Sequence, residues 1–127
     1  MRKAGVFTPR GRRPGKHEWR VAEILASAGY YVEFIEEGRL PQADIRLNGV
    51  EFEIKSPEHF NPNTMEHTIK DALKQSPNII VDMHRMKKVK DAQICSFLAR
   101  QMRSRRQIKR MLLITKNGRI IDIKELI

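Results

Sequence analysis

Two acids and a lysine carry the strongest chemical signal in this sequence: Asp44, Glu53 and Lys55, spread over ADIRLNGVEFEIK. Residues 43–47 and 50–54 alternate apolar and polar side chains, and the Asn48-Gly49 pair between them is a strong two-residue hairpin signal. A type I′ turn centred on Asn48 and Gly49 pairs Leu47 with Val50, Arg46 with Glu51, Ile45 with Phe52 and Asp44 with Glu53. Ala43, Ile45, Leu47, Val50, Phe52 and Ile54 then share the core side of the ribbon. Asp44, Glu53 and Lys55 share the other.

Carboxylates set opposite one another about 5 Å apart repel by about 1 kcal/mol or more, so such a pair needs compensation. A divalent cation compensates well, and convergent hard oxygens predict Mg²⁺ first, with Mn²⁺ or Zn²⁺ as alternatives. The metal ligands would be Asp44 and Glu53. Lys55 would then orient water or stabilise charge at a reacting phosphate. The plainer alternative is a pair of solvent-facing strand acids whose repulsion Lys55 relieves. A further acid, Glu18, lies on the same helical stripe as Val21, Ala22 and Leu25, and is a candidate third metal or water ligand. An ordinary first-turn glutamate facing the helix dipole would look the same.

The surrounding elements must bring these residues together. A helix is predicted over 16–28, ended by Gly29, with Val21, Ala22, Leu25 and Ala28 inward. A strand follows at 30–35. Asn61-Pro62 opens a second helix to about Gln75, with Met65, Ile69, Ala72 and Leu73 inward. Residues 78–83 read as a short buried strand. A third helix over about 89–103 would bury Ala92, Cys95, Leu98, Ala99 and Met102, and two strands joined at Asn117-Gly118 close the chain. The order is α-β-β-β-α-β-α-β-β, an α/β arrangement with a mixed sheet flanked by helices. Trp19, Tyr30 and Phe34 read as core aromatics. Residues 1–15, with three Gly, two Pro and five Lys/Arg, read as a mobile basic arm ahead of a single domain over 16–127.

The formal net charge is +10 and is unevenly distributed. Residues 1–20 hold seven Lys/Arg against one acid, and 84–110 hold ten against one, whereas 31–58 hold seven acids against three basic residues. Basic flanks around an acidic middle suit a protein that grips a polyanion and keeps carboxylates for chemistry. Arg100, Arg103, Arg105, Arg106, Lys109 and Arg110 are the predicted phosphate contacts, with Arg12, Arg13 and Lys16 of the arm in support. The single cysteine excludes an internal disulfide framework and Cys-rich zinc folds, and the four histidines show no zinc spacing. No apolar run is long enough to span a bilayer.

These residues resemble the PD-(D/E)XK nuclease superfamily, with Glu18 on the first helix, Asp44 on the second strand and Glu53-Ile54-Lys55 on the third. The usual Pro before the motif Asp is displaced to Pro41. A glutamine of the second helix often accompanies that motif, which picks out Gln75, with Thr68 on the same flank. More narrowly, residues 16–123 resemble the C-terminal tRNase toxin domains of contact-dependent growth inhibition proteins. That resemblance implies metal-dependent cleavage of RNA, tRNA above all, and a cognate immunity protein. It also implies action in the bacterial cytoplasm of a target cell after delivery on a larger protein. A DNase of the same fold is the alternative substrate reading. A non-catalytic basic or phage-associated nucleic-acid-binding module is the alternative class.

Overall fold

The computed structural model describes residues 3–127. The chain runs β1 (Gly5–Phe7), α1 (Lys16–Ser27), β2 (Tyr31–Phe34), β3 (Ile45–Leu47), β4 (Val50–Lys55), α2 (Pro62–Leu73), β5 (Asn78–Asp82), α3 (Asp91–Ser104), β6 (Arg110–Ile114), β7 (Ile120–Asp122) and a 3₁₀ turn (Ile123–Leu126). The strands form one mixed sheet in chain order. β1 and β2 are parallel, β2, β3 and β4 run antiparallel as a meander, β4, β5 and β6 are parallel, and β7 turns back on β6. The α/β order predicted from periodicity is present, with a strand added at the front.

That strand corrects the reading of residues 1–15 as an arm outside the fold. Gly5, Val6 and Phe7 pair with Tyr31, Val32 and Glu33, and Gly5 takes φ +155°, outside the range most side chains tolerate. Three residues are too few for an alternation to be read, and the glycines and arginines around them mask it. Met1 and Arg2, also assigned to the arm, lie outside the described residues.

Helices cover both faces of the sheet. On one, Val21, Ala22 and Leu25 of α1 pack on Val32, Phe34, Ile45, Phe52, Ile54, Ile80 and Leu112. On the other, α2 (Met65, Ile69, Ala72) and α3 (Ile94, Phe97, Leu98) pack on Ile79, Val81, Met111 and Leu113. β5 and β6 are therefore apolar on both sides, as parallel strands under crossover helices must be. Asn61 caps α2 as predicted, its side chain accepting from the N–H groups of Asn63 and Thr64. The buried stripe of α3 is rotated from the predicted one. Ile94, Phe97, Leu98, Ala99 and Gln101 face inward and Ala92 is exposed, because the two largest apolar residues set the contact face.

One buried ion pair pins α1 to the sheet. Asp82, at the end of β5, is fully buried and accepts from Arg20 (3.2 Å), from the Ser56 hydroxyl (3.1 Å) and from the His84 N–H (3.1 Å). Removing one partner of such a pair strands a charge in low dielectric. Arg20→Ala is expected to lower unfolding free energy by about 3 kcal/mol in urea titration, with Asp82→Ala milder. A loss below about 1 kcal/mol for Arg20→Ala would show that the other two donors suffice.

Candidate active site

The hairpin that carries the acids has the predicted geometry. Asn48 (φ 48°) and Gly49 (φ 87°) both lie in the left-handed region a type I′ turn requires. The register is Leu47 to Val50, Arg46 to Glu51 and Ile45 to Phe52. Asn48 also ties the turn to β2, accepting at its side chain from the Tyr31 N–H (2.8 Å). The ladder ends at Asp44. Its N–H still donates to Phe52 O (3.1 Å), while its carbonyl accepts from the Ile35 N–H (3.0 Å). The next N–H of β4, at Ile54, is taken by the Asp44 carboxylate (Oδ2, 2.7 Å). Asp44 thus supplies from its side chain the acceptor that β3 withdraws, which fixes the carboxylate against β4 beside Glu53.

Glu53 and Lys55 fall on the face of β4 that carries α2 and α3, since Glu53 is in register with Ile79 and Lys55 with Val81. The sequence reading put the three groups on the face away from the core; that face is helix-covered, and Glu53 is only 7 % exposed. The Lys55 ammonium lies 3.5 Å from one Glu53 oxygen, and the other, Oε1, is buried with no hydrogen-bond partner among the described residues. Burial, then the charge of Asp44, push the Glu53 carboxyl up to about 8, and the nearby lysine only partly offsets them. Asp44 is raised as well, by burial first, against the pull of the Ile54 N–H. The charge of Asp44 beside it makes the Glu53 carboxyl hold its proton more tightly.

Glu18 joins this group from α1. Its charge helps to raise the Asp44 carboxyl. Both its oxygens are already engaged: Oε1 accepts from the Gly15 N–H (3.0 Å), and Oε2 faces Arg12 (2.9 Å). Arg12 also donates to the Ile35 carbonyl (3.0 Å), and its guanidinium lies over the Phe34 ring. With only 5 % of its side chain exposed, Arg12 is a structural counter-ion to Glu18 and no free hand for phosphate. A cleft of about 240 Å³ opens beside Asp44, lined by Arg12, Ile35, Leu40 and Gln42 among others. A larger depression of about 990 Å³ sits on the open side of β2 and β3 near Tyr31 and Arg46, away from the convergent acids.

The remaining predicted site residues are not drawn to the acids. Thr68 donates its hydroxyl back to the Thr64 carbonyl of its own helix (3.1 Å). Gln75 follows the end of α2, next to Ser76, which anchors on the Glu51 carbonyl at the opening of β4. Arg100 and Arg103 are exposed on α3, and Arg105 donates to Gln101. Arg106 and Lys109 lead into β6, where Arg110 lies over the Phe52 ring on the α1 face. The β5-α3-β6 crossover returns the chain to the strands' N-terminal ends, so this basic exit lies at the opposite end of the sheet from Lys55. The cations at the Lys55 end include Arg85, Lys87, Lys88 and Lys90, between β5 and α3. Arg85 donates to the Ser56 carbonyl (3.1 Å) and pairs with Glu58. Ligand sites of open α/β sheets fall beyond the carboxyl ends of strands. The signal that would have found this end is the aspartate closing the apolar run NIIVD, which marks where a buried charge must be met.

No three of His, Cys, Asp and Glu converge as a metal cage among the described residues. What converges is an all-oxygen pair with one buried, undonated oxygen. That donor set fits a hard cation held by one or two carboxylates, with water and phosphate filling its other positions. The raised Glu53 carboxyl has a thermodynamic signature. Its folded value exceeds the unfolded 4.5, so the stability it contributes is full below that value and is lost as pH rises through about 8. In EDTA the melting temperature is expected to fall over this window more steeply for the parent than for Glu53→Gln, and millimolar Mg²⁺ should flatten the parent's fall. Equal slopes for parent and variant would contradict the assignment.

Comparison with known proteins bears on the fold and the family. The structure is similar to that of a CdiA-CT/CdiI toxin and immunity complex from Burkholderia pseudomallei, with a TM-score of 0.70 and 20 % identity over 93 % of this chain and 98 % of that one. At that identity the likeness is one of fold. None of the curated proteins matches the sequence. Residues 41–125, more than half of the chain and including Asp44, Glu53 and Lys55, match the contact-dependent growth inhibition CdiA C-terminal domain, and the chain belongs to that family.

Proposed function

We propose that this domain is a contact-dependent growth inhibition toxin that acts as a metal-dependent endonuclease of PD-(D/E)XK type, with RNA, and tRNA first, as its substrate. The observation that carries the reading is the Asp44–Glu53 pair, a half-buried and a buried acid side by side, with one Glu53 oxygen 3.5 Å from the Lys55 ammonium and the other buried without a hydrogen-bond partner among the described residues. A fold maintained for stability alone has no use for that arrangement, because well-packed apolar residues would serve it better. Asp44 and Glu53 would hold the cation, with Mg²⁺ the best match to the donors. Bound there, it would supply Lewis acidity toward a phosphodiester oxygen and lower the pKa of water. Lys55 would orient the attacking water and offset charge developing on phosphorus. Glu18, held by Arg12 and the Gly15 N–H, would add a fixed acid at the rim that orients water.

The charge distribution supports a polyanionic substrate. Arg85, Lys87, Lys88 and Lys90 would meet the phosphates nearest the scissile bond, and Arg100, Arg103, Arg105, Arg106, Lys109 and Arg110 those farther along. The similar solved structure is a toxin and immunity complex, which supports a cognate immunity protein for this chain too. Among the described residues no helix is long and apolar enough to cross a membrane. We place the site of action in the cytoplasm of a target bacterium, reached as part of a larger protein.

Incubation of the purified domain with total tRNA, rRNA and plasmid DNA, with and without Mg²⁺, tests the reading. Cleavage of tRNA in Mg²⁺ is expected, abolished by EDTA. Asp44→Ala, Glu53→Gln and Lys55→Ala should each lower the rate by about 100-fold or more while the domain stays folded and still binds RNA. Cleavage of plasmid alone would move the substrate to DNA. Variants that cut as well as the parent would remove the site.

A further inference from the structure

We infer that the exposed face of Trp19 is a nucleobase-stacking subsite at the edge of the active cleft, taking an unpaired base next to the cleaved phosphodiester. This inference rests on the nucleic-acid reading of the site and adds to it the form of the substrate, a strand locally free of base pairing.

The sequence reading put Trp19 in the core. The structure leaves it 41 % exposed, although its ring is stacked on Phe34 at a centroid distance of 5.9 Å and an interplanar angle of 5°. Phe34 is itself buried and is further held by the Arg12 guanidinium 5.4 Å from its centroid. Trp19 is therefore fixed through one side, and its indole N–H has no hydrogen-bond partner among the described residues. A large aromatic left half in water at a defined orientation costs hydrophobic stabilisation that an inward rotamer would recover. It is prepaid for stacking, since little rotamer freedom remains to be lost when a base lies on it.

The position suits a base rather than another apolar partner. Trp19 follows Glu18, whose partner Arg12 lines the cleft beside Asp44. Phe34, beneath it, precedes Ile35, whose N–H donates to the Asp44 carbonyl. The residues that flank Trp19 along the chain are charged. Lys16 lies one turn back on the same flank, Arg13 is exposed before the helix, and Arg20 follows with its guanidinium committed to Asp82. Glu23, exposed one turn onward, is the acid on this flank and marks the side from which phosphates are repelled. Cations on the cleft side and an acid on the far side favour a strand whose backbone enters from the cleft and lays one base over the indole. Stacking of this kind tolerates any base and needs only that it be unpaired.

Trp19 is the single tryptophan, so its emission reports the subsite directly. The intact domain, in EDTA to prevent cleavage, is titrated with a short single-stranded RNA, with the same sequence locked in a duplex, and with a heparin fragment as a polyanion without bases. Binding is followed independently by anisotropy of a labelled probe. Saturable quenching by the single strand, little by the duplex and none by heparin at equal occupancy is expected. Trp19→Ala should weaken single-strand binding about ten-fold, and Trp19→Phe should stay within about three-fold of the parent. If the single strand binds and emission does not change, the subsite is wrong and the nuclease reading stands. If heparin quenches as strongly as RNA, the effect is one of charge and the subsite is again wrong. If no nucleic acid binds, both fall together.

Discussion

A hydrogen bond from the Ile54 N–H to the Asp44 carboxylate (2.7 Å) decides the character of this molecule. Where β3 leaves β4 to follow β2, a backbone donor loses its partner, and an acidic side chain takes the vacated place. That bond commits Asp44 to a fixed position beside Glu53, so the repulsion between them cannot be relieved by rotation into water. Everything distinctive about the site follows from this trapping: the raised Glu53 carboxyl, its buried oxygen without a donor among the described residues, and the lysine close by. The same acids on a mobile loop would spread apart and titrate as ordinary surface groups.

Charges in the rest of the molecule are handled differently. Asp82 is more deeply buried than Glu53, yet it meets three donors and its arginine reaches it from a separate helix. It behaves as a fastener between α1 and the parallel strands. Arg12 does the corresponding work for Glu18, with an aromatic ring under its guanidinium. The contrast separates acids that are satisfied from the one pair that is not, and only the latter has capacity left for a cation or a proton.

The turn and the register from Ile45 to Phe52 were legible in the sequence because their determinants are local: an Asn-Gly turn and alternation on either side fix register, although Val50, read as a core residue, is exposed at the turn and the ladder stops short of pairing Asp44 with Glu53. Asn61-Pro62 at the head of α2 was legible for the same reason. Two kinds of feature were not. β1 owes its existence to the free edge of β2, a partner far off in the chain, and its three residues carry no period of their own. The placement of the basic residues was also hidden. Arg100 to Arg110 and Arg85 to Lys90 look equivalent as charge runs, and only the sense of the crossover puts the second group, and not the first, at the Lys55 end of the sheet. Glu53's burial escaped for a related reason, since alternation tells which face a side chain takes and is silent on what lies over that face.

The segment ahead of α1 has two duties: it supplies the outermost strand and it delivers Arg12 to Glu18. A protease acting between Phe7 and Gly11 would strip only the strand, whereas a nick just past Arg12 would also take the counter-ion from an acid beside the Asp44–Glu53 pair. Loss of residues ahead of α1 is therefore graded in its effect, first on the sheet's rim and then on the charge balance of the site, with only a few residues between the two.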